Sequence, residues 1–232
     1  MRMNLVRTTL LAVAALLLMG SGPDVTRFAV PSVAPKMHKP AAGVLFATDF
    51  SRDSLKHWKA DRPGVWSVWR GMLRADLPDQ KQLRSLIHTG DTAWTDIAVD
   101  LDMCMMRGVD KGVIVRVKGE AGTGVDVRGG SYQDVVMYVN EWPMGRARAT
   151  NANGTWNHLR VEARGNRFRV FVNGELKIDR VDTRSNRHLR RNGAIALPAY
   201  TGGVGQCTVY YDNIVVTRIA EAAPEAQAGA GN

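Results

Sequence analysis

The sequence predicts an all-β domain of two antiparallel sheets packed face to face, and three observations carry that prediction. Apolar and polar residues alternate with period two through most of the stretch from Gly43 to Ile219, while helical spacing is nearly absent. Asn173-Gly174 is the strongest short hairpin signal, because a type I′ turn needs φ > 0 at both central residues. The chain has 232 residues with 45% hydrophobic residues, 23 Gly, 9 Pro and 2 Cys, enough for one core without disulfide or metal staples.

Arg2 and Arg7 precede an apolar run from Leu10 to Met19, followed by Gly20, Ser21 and Gly22, the order of an export signal. The run has about half of the roughly 20 residues a spanning helix needs. Residues 1–22 are therefore expected to be a signal peptide, the protein to lie outside the cytoplasm (periplasmic or secreted), and the mature chain to have no transmembrane span. Pro23 disfavours cleavage after Gly22 and leaves the region after Ala34 as an alternative; an uncleaved anchor is the competing reading. Residues 23–42 carry Pro23, Pro31, Pro35 and Pro40 without periodicity and are expected to be a linker. The folded unit spans 43–219, and the Ala/Gly-rich tail 220–232 is expected to be disordered.

Within the folded unit, "DIAVDLDMCM" puts Ile97, Val99, Leu101, Met103 and Met105 on one face. "KGVIVRVKGE" sets Val113, Val115 and Val117 opposite Ile114, Arg116 and Lys118. "DVVMYVNEW" sets Val135, Met137 and Val139 opposite Val136, Tyr138, Asn140 and Trp142. From Trp156 to Val181, turns at Gly165-Asn166 and Asn173-Gly174 separate three strands of one meander.

The run "WNHLRVEARGNRFRVFVNGE" from Trp156 resembles the central meander of the concanavalin A-like lectin/glucanase jelly rolls, in particular their laminin-G-like and 3-keto-disaccharide hydrolase type domains. "FATDFS" at Phe46, "GVWSVWRGML" at Gly64, "WTDIAVDLD" at Trp94, "GVIVR" at Gly112, "GAIAL" at Gly193 and "YDNIVV" at Tyr211 follow the same family's order. The resemblance implies a two-sheet jelly-roll sandwich that binds carbohydrate on one sheet or its rim loops. A hydrolase or lyase acting on 3-keto-glycosides is the alternative, and a structural or adhesive envelope protein the third.

A sugar needs an aromatic ring against its C–H face and planar polar groups at its hydroxyls. The polar side of three adjoining strands offers Arg116, Asp126, Arg128, Tyr138, Asn140 and Trp142. A solvated face with cross-strand Arg–Asp pairs is the plainer reading. Asp100-Leu101-Asp102 lacks the paired Glu residues of the related glucanases, which argues against their chemistry. Elimination from a keto sugar would need a base, for which Asp126 and Glu141 are candidates, with His88 and His158 behind them. Trp66, Trp69, Trp94 and Trp156 read as core-closing rings, Trp69 being the exception to watch.

The resemblance further implies a structural Ca²⁺ at Asp212, with Asp49 as a candidate second ligand; Asp212 as a turn cap is the other reading. It also implies that the strand from Trp94 lies against the last strand. Facing Ile97 with Ile214 would set Cys104 against Cys207, an expected disulfide in an exported protein. The formal charge is +9, or +7 without residues 1–22. The basic cluster "RSNRHLRRNG" from Arg184 has no interleaved aromatics, so no nucleic-acid partner is expected. Acidic polysaccharide is one carbohydrate such a surface would suit.

Overall fold

The computed structural model describes residues 29–32, 34, 42–52, 54–119, 121–139, 142–184 and 190–220. The expected export signal, most of the expected linker, Asn140, Glu141, residues 185–189 of the basic cluster and the tail beyond residue 220 lie outside the described residues.

Fifteen strands are found among the described residues. The first five are β1 (Val44–Thr48), β2 (Lys59–Ala60), β3 (Trp66–Trp69), β4 (Met72–Leu77) and β5 (Arg84–Thr89). Five more follow: β6 (Ile97–Arg107), β7 (Asp110–Lys118), β8 (Ala121–Arg128), β9 (Asp134–Val139) and β10 (Trp142–Arg148). The last are β11 (Trp156–Arg164), β12 (Arg167–Val172), β13 (Glu175–Val181), β14 (Ala194–Tyr200) and β15 (Cys207–Arg218). They form an eight-stranded sheet, β13-β12-β11-β6-β15-β4-β3 with β1 also on β15, and a seven-stranded sheet, β10-β9-β8-β7-β14-β5-β2. Every pairing is antiparallel.

The alternation decides what is buried. Val99, Leu101 and Met103 of β6, with Leu159 and Val161 of β11, meet Val113, Val125 and Met137 of the other sheet in one continuous core. Each such side chain contributes about 1.5–3 kcal/mol by leaving water. The expected meander is present as β11-β12-β13, closed at Asn173 (φ 51°) and Gly174 (φ 82°). Trp66 closes the core, donating its indole N–H to Ser85 Oγ at 2.8 Å and stacking on Tyr211. Trp69 is exposed, as its turn position suggested, whereas Trp156 belongs to a separate cluster on the outer face of the eight-stranded sheet.

Two expectations fail because of register. β7 carries a bulge at Arg116, where φ is 57° and the pairing with both β8 and β14 slips. A bulge inverts the faces beyond it. Val117 consequently joins Ile114 in an outer cluster, while Arg116 turns inward, fully buried, with its guanidinium 5.1 Å from the Phe168 ring centroid. The Cys104–Cys207 disulfide is likewise corrected. Ile97 faces Arg218 rather than Ile214, and Cys104 faces Tyr210 while Cys207 faces Leu77. Cys207 points into the main core and Cys104 into the outer cluster, so the two thiols lie on opposite sides of one sheet and both are free.

Candidate functional site

The outer face of the seven-stranded sheet holds a cleft of about 550 Å³, lined by residues of β5, β7, β8, β9 and β14. Its floor is three cross-strand rows over β7, β8 and β9: Asp110–Arg128–Asp134, Gly112–Asp126–Val136 and Ile114–Gly124–Tyr138. The inward partners of these residues, Val113, Val125, Val127, Val135 and Met137, are core, so the alternation presents the polar set outward.

Gly124 determines how Tyr138 lies. A methyl group at position 124 would sit 2.3 Å from Tyr138 Cζ and 2.6 Å from its hydroxyl, so the ring can lie across β8 only because no side chain is there. The Tyr138 hydroxyl hydrogen-bonds Asp126. Burial, with the Asp126 carboxylate next to it, holds that hydroxyl protonated well above the usual phenol range.

Asp126 is only partly covered as a residue, yet its Oδ1 is shut off from bulk solvent and has no hydrogen-bond partner. Burial and the nearby Asp110 push its carboxyl up to about 7, against the hydrogen bond from Tyr138 and the attraction of Arg128. Burial raises Asp110 as well. Arg128 is committed elsewhere: its Nε and Nη2 each donate to Asp134 at 2.8 Å, and its guanidinium stands 4.2 Å from the Tyr132 ring centroid. Asp134 is clamped from the other side by Arg146. Across the cleft, β14 and β5 add the Tyr200/Arg84 pair, with the Tyr200 hydroxyl donating to Gln82.

Of the residues singled out from sequence, Asp126, Arg128 and Tyr138 come together here. Asn140 and Glu141 fall outside the described residues, and Trp142 is placed only by its backbone, opposite Val139. Arg116 is absent from the cleft. It donates to the carbonyls of Gly165 (2.6 Å) and Arg190 (3.0 Å) between the sheets, and fastens loops. His88 is paired in register with Lys59 and Ala196, away from the lining. His158 stands on the other sheet between Asp102 (2.9 Å) and Asp100 (3.4 Å), which raise its imidazole to about 9. Arg84, Gln82, Asp110 and Tyr200 were missed.

No calcium site is evident around Asp212 among the described residues. Burial pushes its carboxyl up to about 7, with Asp49 and Asp102 adding repulsion, and Oδ1 accepts the Asn213 N–H at 2.7 Å. Asp49 is occupied by the N–H and hydroxyl of Ser51, and Asp102 by Asn213 and His158. Among the described residues no cluster of three or more His, Cys, Asp or Glu could hold a metal ion. No described helix is long and apolar enough to cross a membrane.

The model of the 3-keto-alpha-glucoside-1,2-lyase-like domain matches residues 45–217, the whole sandwich. The chain belongs to this family. No curated protein matches the sequence. Solved structures agree on the fold at low identity. The carbohydrate-binding module CBM66 from Bacillus subtilis superposes with a TM-score of 0.58 at 16% identity, over 69% of this chain and 95% of its own. A Bacillus subtilis protein of unknown function with a galectin-like fold reaches 0.60 at 10%, over 81% and 99%. The exoplasmic/lumenal domain of VIP36, in a form bound to Ca²⁺ and Man3GlcNAc, reaches 0.57 at 13%, over 77% and 90%. These likenesses place the family's sandwich among the galectin-like jelly rolls.

Proposed function

We propose that the protein binds a neutral carbohydrate in the cleft over Tyr138 and Asp126. One observation carries the reading: a tyrosine ring laid across a glycine, beside the Asp126 carboxyl, in a cleft open to solvent. The ring offers an apolar platform for sugar C–H groups, and the partly exposed Asp126 carboxyl beside it offers a polar edge for sugar hydroxyls. Arg84, Tyr200 and Gln82 on the opposite wall supply further polar contacts. Arg128 is already paired with Asp134, so it is not free to draw an acidic polysaccharide into the cleft. The order of residues 1–22 supports export and an address outside the cytoplasm, with residues 43–219 as the working domain.

A second reading, cleavage, is favoured by the Asp126 carboxyl held near neutrality and by the family. In a 3-keto-glycoside the C2 proton is acidified by the neighbouring ketone. Ionised Asp126 would take that proton; the C–H electrons form the C1=C2 bond, and the C1–O bond breaks with the leaving oxygen taking up a proton. The test is calorimetric titration with neutral oligosaccharides and 3-keto-glycosides, with products followed by mass spectrometry. Tyr138→Ala and Asp126→Ala should each weaken binding by roughly tenfold or more, about 1–3 kcal/mol for a lost stacking or charged hydrogen-bond contact. Undiminished affinity in both variants would remove the site from this cleft. Product release lost in Asp126→Ala would establish the second reading.

A further inference from the structure

The outer face of the eight-stranded sheet, opposite the cleft, carries a second feature built from side chains the cleft does not use. Trp156, Cys104 and Tyr210 face one another across β11, β6 and β15 and form a row pointing away from the core. Met72 and Met106 pack into the same cluster, with Cys104 Sγ 3.9 Å from Met106 Sδ. Cys104 is fully buried and Tyr210 nearly so, although both stand on the outside of a sheet.

What covers them is the chain itself. Val30 packs on the cluster, and Pro31 and Ala34 are buried. The Trp156 indole N–H donates to Ser32 O at 2.7 Å, and the Tyr210 hydroxyl donates to Ala29 O at 3.3 Å. The two accepting carbonyls are three residues apart, and Pro31 lies between them. Aromatic-lined surfaces that hold proline-containing segments are a general mode of peptide recognition.

We propose that the Trp156–Cys104–Tyr210 row is a binding site for a short proline-containing segment, filled in cis by residues 29–32 and 34 of this chain. These residues, within the stretch the sequence marks as a linker, act as a strap. The strap lies on the face of the sandwich opposite the cleft. It also seals Cys104.

Cys104 reports on the strap and Cys207, deep in the core, is the internal control. The full chain and its Val30→Asp variant are treated with N-ethylmaleimide, and the labelled peptides are quantified by mass spectrometry. Val30→Asp should label at Cys104 at least tenfold faster than the native chain, with Cys207 unchanged. Adding the synthetic peptide Ala-Val-Pro-Ser-Val-Ala should restore the slow rate, and the same peptide with Asp in place of its first Val should not. Rapid labelling of Cys104 in the native chain, no acceleration in Val30→Asp, or equal acceleration of both thiols would overturn the strap. Failure of the peptide to protect Cys104 would overturn the binding site.

Discussion

Replacing Asp126 by Asn tests the electrostatics of the cleft through stability. In the folded protein burial and Asp110 raise this carboxyl from 3.8 to about 7. Between these values the folded state holds a proton that the unfolded chain has released, so stability falls as pH rises from about 4 to 7 and then levels off. At 1.36 kcal/mol per pH unit the window corresponds to on the order of 4 kcal/mol. Asn keeps the shape without the charge. Asp126→Asn should therefore be close to the native protein in stability at pH 4 and more stable by roughly 2–4 kcal/mol at pH 8. Asp110 and Asp212, also raised, retain part of the slope in the variant. The assay is urea unfolding followed by tryptophan fluorescence from pH 4 to 8.5. An unchanged pH slope, or a variant less stable at pH 8, would refute the argument that Asp126 is held protonated by its surroundings. If the protein cleaves 3-keto-glycosides, the same variant should lose at least about a hundredfold in rate.

Other substitutions separate site from scaffold. Gly124→Ala should displace the Tyr138 ring, costing about 1–3 kcal/mol of stability and at least tenfold in sugar affinity by calorimetry; unchanged affinity would mean that the ring is not the floor of the site. Arg116→Met should destabilise by roughly 2 kcal/mol through the lost bonds to Gly165 and Arg190, while leaving sugar affinity untouched, and a loss of affinity would contradict its placement between the sheets. His158, raised to about 9 by Asp100 and Asp102, stabilises the fold fully below its usual value of 6.5 and loses that contribution as pH rises through 9. Because its side chain is 41% exposed, the effect is discounted to about 1 kcal/mol, and His158→Gln should destabilise at pH 6 but not at pH 9.5.

The legible part of this protein is the part that repeats with period two over consecutive strands. β8 and β9 are neighbours in sequence and in the sheet and pair without a register shift, so Asp126, Arg128 and Tyr138 could be set on one face from the sequence alone. Arg116 could not. Its bulge puts an arginine at positive φ, a conformation with no side-chain signature at that position, and the slip turned a proposed sugar ligand into an interior clamp. Arg84 and Tyr200 were invisible for a topological reason: β14 inserts between β7 and β5, and no local pattern announces a pairing between segments more than a hundred residues apart. The cysteines failed on register. The assumed Ile97–Ile214 alignment is displaced by four residues, and the bulge between Asp212 and Val215 changes which side chains share a face. The strap was unreadable because proline-rich composition reports only the lack of regular structure, whereas its docking depends on two ring donors that lie far along the chain.

The central claim is that carbohydrate binds on the open face of the seven-stranded sheet. It is tested most directly by titrating ¹⁵N-labelled protein with a neutral oligosaccharide and a 3-keto-glycoside and mapping the amide shifts. Saturable shifts are expected at Asp110, Gly124, Asp126, Tyr138 and Tyr200, with none at Trp156 or Tyr210 on the opposite face. Shifts confined to the opposite face, or none with any sugar, would contradict it.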